Sequence, residues 1–179
     1  TKDDKELLKV ICADAKMLEK LGVSNIAIPC NTSHYFYEHI QKSVNIPVIN
    51  MIHESVAYAV REFENVKRIG IMATDGTINS KIYHRECRKL GVTPVKPSEE
   101  RQKDVMSLIY DDIKSGKAGD KRKFDRVMAE FMRKGCDAVI LAVSHREFYD
   151  FDISKYKKSN AVVYDIKGIL PKDIIDGRL

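Results

Sequence analysis

The loop Cys30-Asn31-Thr32-Ser33-His34 holds the chain's most reactive grouping of residue types. It follows an apolar run, Ile26-Ala27-Ile28-Pro29, and precedes a helical stretch beginning near His34. A helix N-terminus carries partial positive charge, which lowers a thiol's pKa and favours thiolate. Short polar side chains and free backbone N–H groups suit a carboxylate. Cys30 beside Asn31, Thr32 and Ser33 could therefore take the α-proton of a bound amino acid. The same composition also fits a small packed thiol with capping residues, and composition alone does not separate the two.

Other polar groups fall at comparable places. His34 and His53 stand near helix starts, where each could tune a thiolate or act only as a capping or surface histidine. Thr74-Asp75-Gly76-Thr77 reads as a turn after an apolar strand. His145 and Arg146 follow another strand, and Arg146 suits an anion or open solvent.

The elements that would position these loops alternate. Leu7, Leu8, Ile11, Ala15, Leu18 and Leu21 recur at helical spacing over residues 4–21, with Gly22 as a stop. Strands are expected at 25–29, 46–50, 68–73, 92–95, 138–143 and 161–166. Helices are expected at 34–43, 53–64, 79–90, 98–115 and 121–134. This alternation predicts an α/β fold, with Rossmann-like parallel sheets covered by helices on both faces. In such sheets ligands bind beyond the carboxyl ends of the strands, where the polar loops lie.

Composition narrows the alternatives. Hydrophobic residues are 44% and charged residues 32%, ordinary for a globular chain, and no apolar run is long enough to cross a membrane. The start, Thr1-Lys2-Asp3-Asp4, is not that of a signal peptide, so a cytoplasmic protein with free thiols is expected. The net charge of +5 is spread along the chain, and no basic stripe with stacking aromatics points to nucleic acid. Four cysteines without a C-x-x-C pair argue against zinc. No metal is expected.

Ile28-Pro29-Cys30-Asn31-Thr32-Ser33-His34 resembles the first catalytic loop of the aspartate/glutamate racemase family. Ile46-Pro47-Val48-Ile49-Asn50-Met51-Ile52-His53-Glu54 is similar to the strand and helix start that follow it there. Arg68 to Ile78, with Ser80 and Tyr83, resembles the start of that family's second lobe. The resemblance implies a cofactor-independent racemase of two pseudo-symmetric lobes. Two cysteines would face each other across the substrate α-carbon, one taking the proton and the other returning it. It assigns acid/base work to Cys30, substrate binding to Asn31 and Thr32, and a place at the lobe interface to Thr74. The expected ligand is a small acidic amino acid; a homodimer is kept open.

Two departures stand out. The family's opening strand and Gly-rich loop do not appear before the first helix, leaving the first lobe's sheet short of a strand. The second catalytic cysteine should follow the strand ending at Ala142, within Cys-Thr-Glu, but the chain reads Val143-Ser144-His145. Valine exchanges no proton. Cys136 precedes that strand and is expected to be a packed thiol. His145 could replace the lost acid/base or fill a structural role.

From Asp137 the tail resembles the C-terminal, UDP-binding domain of nucleotide-sugar dehydrogenases, through Ala138 to Phe148, Val162 to Gly168 and the ending Asp176-Gly177-Arg178-Leu179. The chain is therefore expected to comprise a partial first racemase-like lobe (1–53), a second (54–137) and a dehydrogenase-like tail (138–179), as a chimera or truncated chain. Rival readings are a dicarboxylate binder without activity and a dehydrogenase fragment that binds a UDP-sugar. The fragment reading lacks a G-x-G-x-x-G fingerprint.

Overall fold

The structure is a computed structural model that describes residues 2–63, 65–143, 162–165 and 177–178. It divides into two compact units, Thr1–Met51 and Ile52–Leu179.

The first unit opens with α1 (Lys2–Lys20) and continues through β1 (Ile26–Ala27), a 3-10 turn (Thr32–Phe36), α2 (Tyr37–Ser43) and β2 (Val48–Ile49). Ala15, Ile26, Phe36, Ile40, Val44 and Val48 form its core, with Leu8, Ile11 and Leu18 packed against them. The apolar stripe of α1 is wider than its buried part: Leu7 and Leu21, expected inside, are 49% and 72% exposed, together with Val10 and Met17. β1 and β2 pair in parallel, Ile26 with Val48 and Ala27 with Ile49. Both strands are shorter than expected because proline interrupts each. Pro47 lends only its carbonyl to the Ile26 N–H, at 2.9 Å, and Pro29 sits inside a three-residue turn closed by Cys30 N–H on Ile28 O at 2.8 Å. Side chains bind the loop before β2. Glu19 Oε1 accepts from the amides of Asn45 and Ile46 at 2.6 and 3.2 Å. Gln41 bonds the Ile46 carbonyl at 3.1 Å and the Val48 amide at 2.8 Å.

The second unit contains nearly all of α3 (Met51–Glu62), then β3 (Arg68–Ala73), α4 (Asp75–Ser80), α5 (Ile82–Lys89), β4 (Thr93–Val95), α6 (Glu99–Ser107), α7 (Lys121–Arg133), β5 (Ala138–Ala142), β6 (Val162–Asp165) and β7 (Gly177–Arg178). Its five strands are parallel in the order β4-β3-β5-β6-β7. Every β5 residue is buried, as is β3 from Ile69 onward, so neither strand alternates. Phe124, Val127, Met128 and Phe131 of α7 pack with Met72, Val139 and Leu141 of the sheet. Asp137 fastens the start of β5 to β3: its Oδ2 accepts from the Lys67 and Arg68 amides at 2.9 and 2.8 Å.

Three elements expected in this unit differ in kind or continuity. The turn expected at 74–77 is the first turn of α4, with Ile78 N–H bonded to Thr74 O at 3.0 Å. The helix expected at 79–90 is broken at Lys81, whose φ of 57° is left-handed. The helix expected at 98–115 stays α-helical only to Ser107, then passes through a π-helical turn (Leu108–Asp112) and a 3-10 turn (Ile113–Ser115) to Gly116 at φ 80°. No helix among the described residues is long and apolar enough to cross a membrane.

Candidate active site

Cys30 is exposed, at the end of the Pro29 turn that follows β1. Asn31 beside it is 7% exposed and helical in backbone conformation, and Thr32 is exposed. The helix expected from His34 is different in kind. A 3-10 turn spans Thr32–Phe36, and α-helical bonding begins only at Tyr37. The α-helical dipole therefore starts well beyond Cys30, and any amide support for an anion at the loop falls to the first residues of the turn.

In a 3-10 helix, residues three apart eclipse. His34 and Tyr37 are three apart, and their rings stack at 6.4 Å with planes 2° apart. The Tyr37 hydroxyl then donates to the Val48 carbonyl of β2 at 3.2 Å. His34 is buried, at 4% exposure. Its Nδ1 lies 2.8 Å from the Cys30 carbonyl oxygen, and its Nε2 lies 3.2 Å from the Met51 amide nitrogen. Burial lowers the His34 pKa, outweighing the carbonyls of Cys30 and Ile49, which favour the charged ring.

In the second unit, Thr74 caps α4 by position, in extended conformation, with Oγ1 3.3 Å from Thr77 Oγ1. Beside it lies a cleft of about 730 Å³ whose wall includes Asp75, Asn79, Lys96, Ser98, Gln102 and Lys134. Gln102 Nε2 donates to the Ala73 carbonyl at 3.0 Å and to Asp75 Oδ1 at 2.8 Å. Glu130 braces the start of α6 by accepting from the Ser98 amide and hydroxyl at 2.7 and 2.6 Å. Burial pushes the Glu130 carboxyl up, but the bonds from Lys134 and Ser98 together hold it below its ordinary value. The sequence pointed to the loop at 74–77 but not to Lys96, Ser98, Gln102 and Lys134, which lie far along the chain and complete the wall.

His53, on the first turn of α3, pairs through Nδ1 with Glu86 Oε2 at 3.1 Å, and Lys89 holds the other carboxylate oxygen at 2.7 Å. Sequence reading singled out His53 but not its buried partner on α5. Both thiols of this unit are buried, which raises Cys87 to about 12 and Cys136 to about 11 and disfavours their thiolates. Val143, where the resemblance calls for the second cysteine, is 6% exposed and belongs to the α7 core. His145 and Arg146 lie outside the described residues.

The sequence profile of the Asp/Glu/Hydantoin racemase family matches residues 1–145. The broad specificity amino-acid racemase RacX of Bacillus subtilis is 37% identical over 84 residues, covering 46% of this chain and 35% of the relative. Glutamate racemase of Aquifex pyrophilus is 36% identical over 78 residues, covering 43% of this chain and 30% of the relative. The matched stretch thus spans about a third of the length of these curated relatives. Among solved structures, an Asp/Glu racemase homologue from Yersinia pestis superposes with TM-score 0.80 at 18% identity, over 92% of this chain and 70% of its own. Glutamate racemase of Francisella tularensis, solved in complex with D-glutamate, superposes with TM-score 0.60 at 23% identity, over 100% of this chain and 60% of its own. These two likenesses are of fold. The profile match passes through β5 and beyond residue 137, so it lends no support to a dehydrogenase-like tail beginning there.

Proposed function

The chain belongs to the Asp/Glu/Hydantoin racemase family, and from that premise we propose that it moves the α-proton of a small acidic amino acid through the Cys30 thiolate, without a cofactor. The observation that carries this reading is the exposed Cys30 on a turn fixed by its own backbone bonds, with Asn31 and Thr32 adjacent. Thiolate sulfur takes the α-proton as electrons pass toward the substrate carboxylate, and the resulting thiol can return it. Asn31 and Thr32 hold the substrate carboxylate or amine, and Thr74 contributes a further hydroxyl. Cytoplasmic location, a homodimer and lobes at 1–53 and 54–137 belong to the same proposal.

Buried Val143 favours a particular form of this activity. One thiol can remove and return a proton on the same face, so label enters the α-carbon faster than configuration inverts. Inversion requires an acid on the opposite face, and His145 is the candidate that the sequence offers for it, beside its reading as a structural residue.

The test is α-deuterium wash-in followed by NMR in heavy water, with L- and D-aspartate and L- and D-glutamate. Wild-type protein exchanges at least one of them. Cys30→Ala loses on the order of 10²–10⁴ in rate, as for other acid–base groups. Retention of full exchange by Cys30→Ala overturns the assignment. Calorimetry with UDP, expected to give no heat of binding, decides against the dehydrogenase reading.

A further inference from the structure

We propose that His34 is a positioning residue for the Cys30 thiol, acting as a neutral imidazole that carries its proton on Nδ1. The inference rests on the reading of Cys30 given above and adds to it the element that holds the cysteine in place.

The argument is one of donors and acceptors. The Cys30 carbonyl, 2.8 Å from Nδ1, can only accept, so Nδ1 carries a hydrogen. The Met51 amide, 3.2 Å from Nε2, can only donate, so Nε2 carries none. One tautomer satisfies both contacts, and the doubly protonated ring satisfies only the first. A proton on Nε2 could turn instead to the Ile49 carbonyl, but that nitrogen would then no longer accept from the Met51 amide. Met51 opens α3, where backbone N–H groups lack helical partners, so the imidazole supplies an acceptor that the helix start needs.

The ring is thus a rigid spacer between two backbone points, the cysteine carbonyl and the first amide of α3. Stacking on Tyr37, itself bonded to Val48, fixes its plane. The Cys30 N–H is bonded to Ile28 O on the other side. With the peptide groups on both sides of its Cα constrained, the Cα–Cβ bond of the cysteine has one direction, and the sulfur is left only the staggered positions about it. Both ring nitrogens are engaged, so His34 is not the base that deprotonates the thiol; it sets where the sulfur stands. A displacement of about 1 Å at a reacting atom can cost on the order of 10²-fold in rate.

The experiment uses the whole chain with His34→Phe, His34→Asn and His34→Gln. The ring of Phe fills the space without either bond. Asn can return the donor to Cys30, and Gln can return the acceptor to Met51. Two readouts are taken: alkylation of the Cys30 peptide by iodoacetamide, resolved by mass spectrometry, and α-deuterium exchange with kcat and KM separated. His34→Phe is expected to change the Cys30 alkylation rate and lower kcat for exchange, each by about 10-fold or more, with KM within about 3-fold. His34→Asn is expected to recover most of both. Equal behaviour of the Phe and Asn variants, or a folded Phe variant within about 2-fold of wild type, overturns the proposal. If His34→Phe does not fold, the comparison of Asn with Gln decides it, with Asn expected to be the faster. Exchange that survives Cys30→Ala defeats the catalytic reading alone, and the alkylation series still judges the positioning role.

Discussion

A Cβ placed on Gly70 would lie 2.8 Å from Cδ1 and 2.9 Å from Cγ of Phe131. Helix α7 therefore approaches β3 as closely as it does only because position 70 has no side chain. Phe131 is fully buried and cannot swing away, so Gly70→Ala is an overpacking change. It should destabilise the second unit by about 1–3 kcal/mol, read as a lower midpoint in urea unfolding. Gly70→Ala paired with Phe131→Leu should recover part of that loss; no recovery would mean that the ring is not the obstacle.

Glu86 should make unfolding stability depend on acid. Burial pushes its carboxyl up, but the bonds from Lys89 and His53 bring it below its ordinary value of 4.5. A depressed carboxyl contributes stability that is fully present above the unfolded value and is lost as pH falls through the folded one. Glu86→Gln should therefore cost about 1–3 kcal/mol at pH 7, and its gap from wild type should narrow below pH 4.5. Denaturant melts at pH 7 and pH 3.5 measure this, and a gap that is constant with pH would remove the charge from the explanation.

His34 gives a second acid sensitivity, in a different window. Its pKa is lowered from 6.5 by burial, so the unfolded chain binds a proton where the folded chain does not. Stability rises with pH across that interval, is complete above 6.5 and is lost on the acid side. The first unit should lose up to about 1.4 kcal/mol per pH unit on descending through the interval, and His34→Asn should lack this slope. Amide hydrogen exchange at α2 amides between pH 5.5 and 7.5, corrected for intrinsic rates, reads the effect without requiring activity.

Much of the second unit could be read from its residues. The runs at 68–73 and 138–142 are continuous apolar stretches because both faces of the central strands are covered, and each appears as a strand within a residue of its expected end. Phe124, Val127, Met128 and Phe131 show the helical spacing that buries them. The less regular places carried no such signal. Lys81 breaks a helix in a left-handed conformation that sequence reading assigns to glycine. Leu108 to Asp112 has the periodicity of an α-helix but bonds as a π turn. Prolines shortened β1 and β2 from five expected residues to two. At the site, the position of Cys30 in the loop after a strand was legible. The role of His34 was not, because both of its partners are backbone groups, at positions 30 and 51, and every residue type carries those.

Asp137 offers a simpler structural check. Its carboxylate receives the amides of Lys67 and Arg68, and its own N–H donates to the Arg68 carbonyl at 2.9 Å. Asp137→Ala leaves the two amides at the head of β3 without that acceptor and should cost about 1–2 kcal/mol in urea unfolding. Asp137→Asn, which keeps one acceptor oxygen, should cost less; equal losses would deny the two-amide bond its weight.

The cysteine's main-chain polar groups find partners inside the loop, the N–H on Ile28 and the carbonyl on His34. The segment thus holds its shape from local bonds before any guest arrives. On the reading proposed above, a small amino acid docking there would not have to freeze a wandering loop, so the loop-ordering part of the entropy cost of association is spared. That saving matters most for a guest of few atoms, which makes few contacts to offset the cost of ordering a loop.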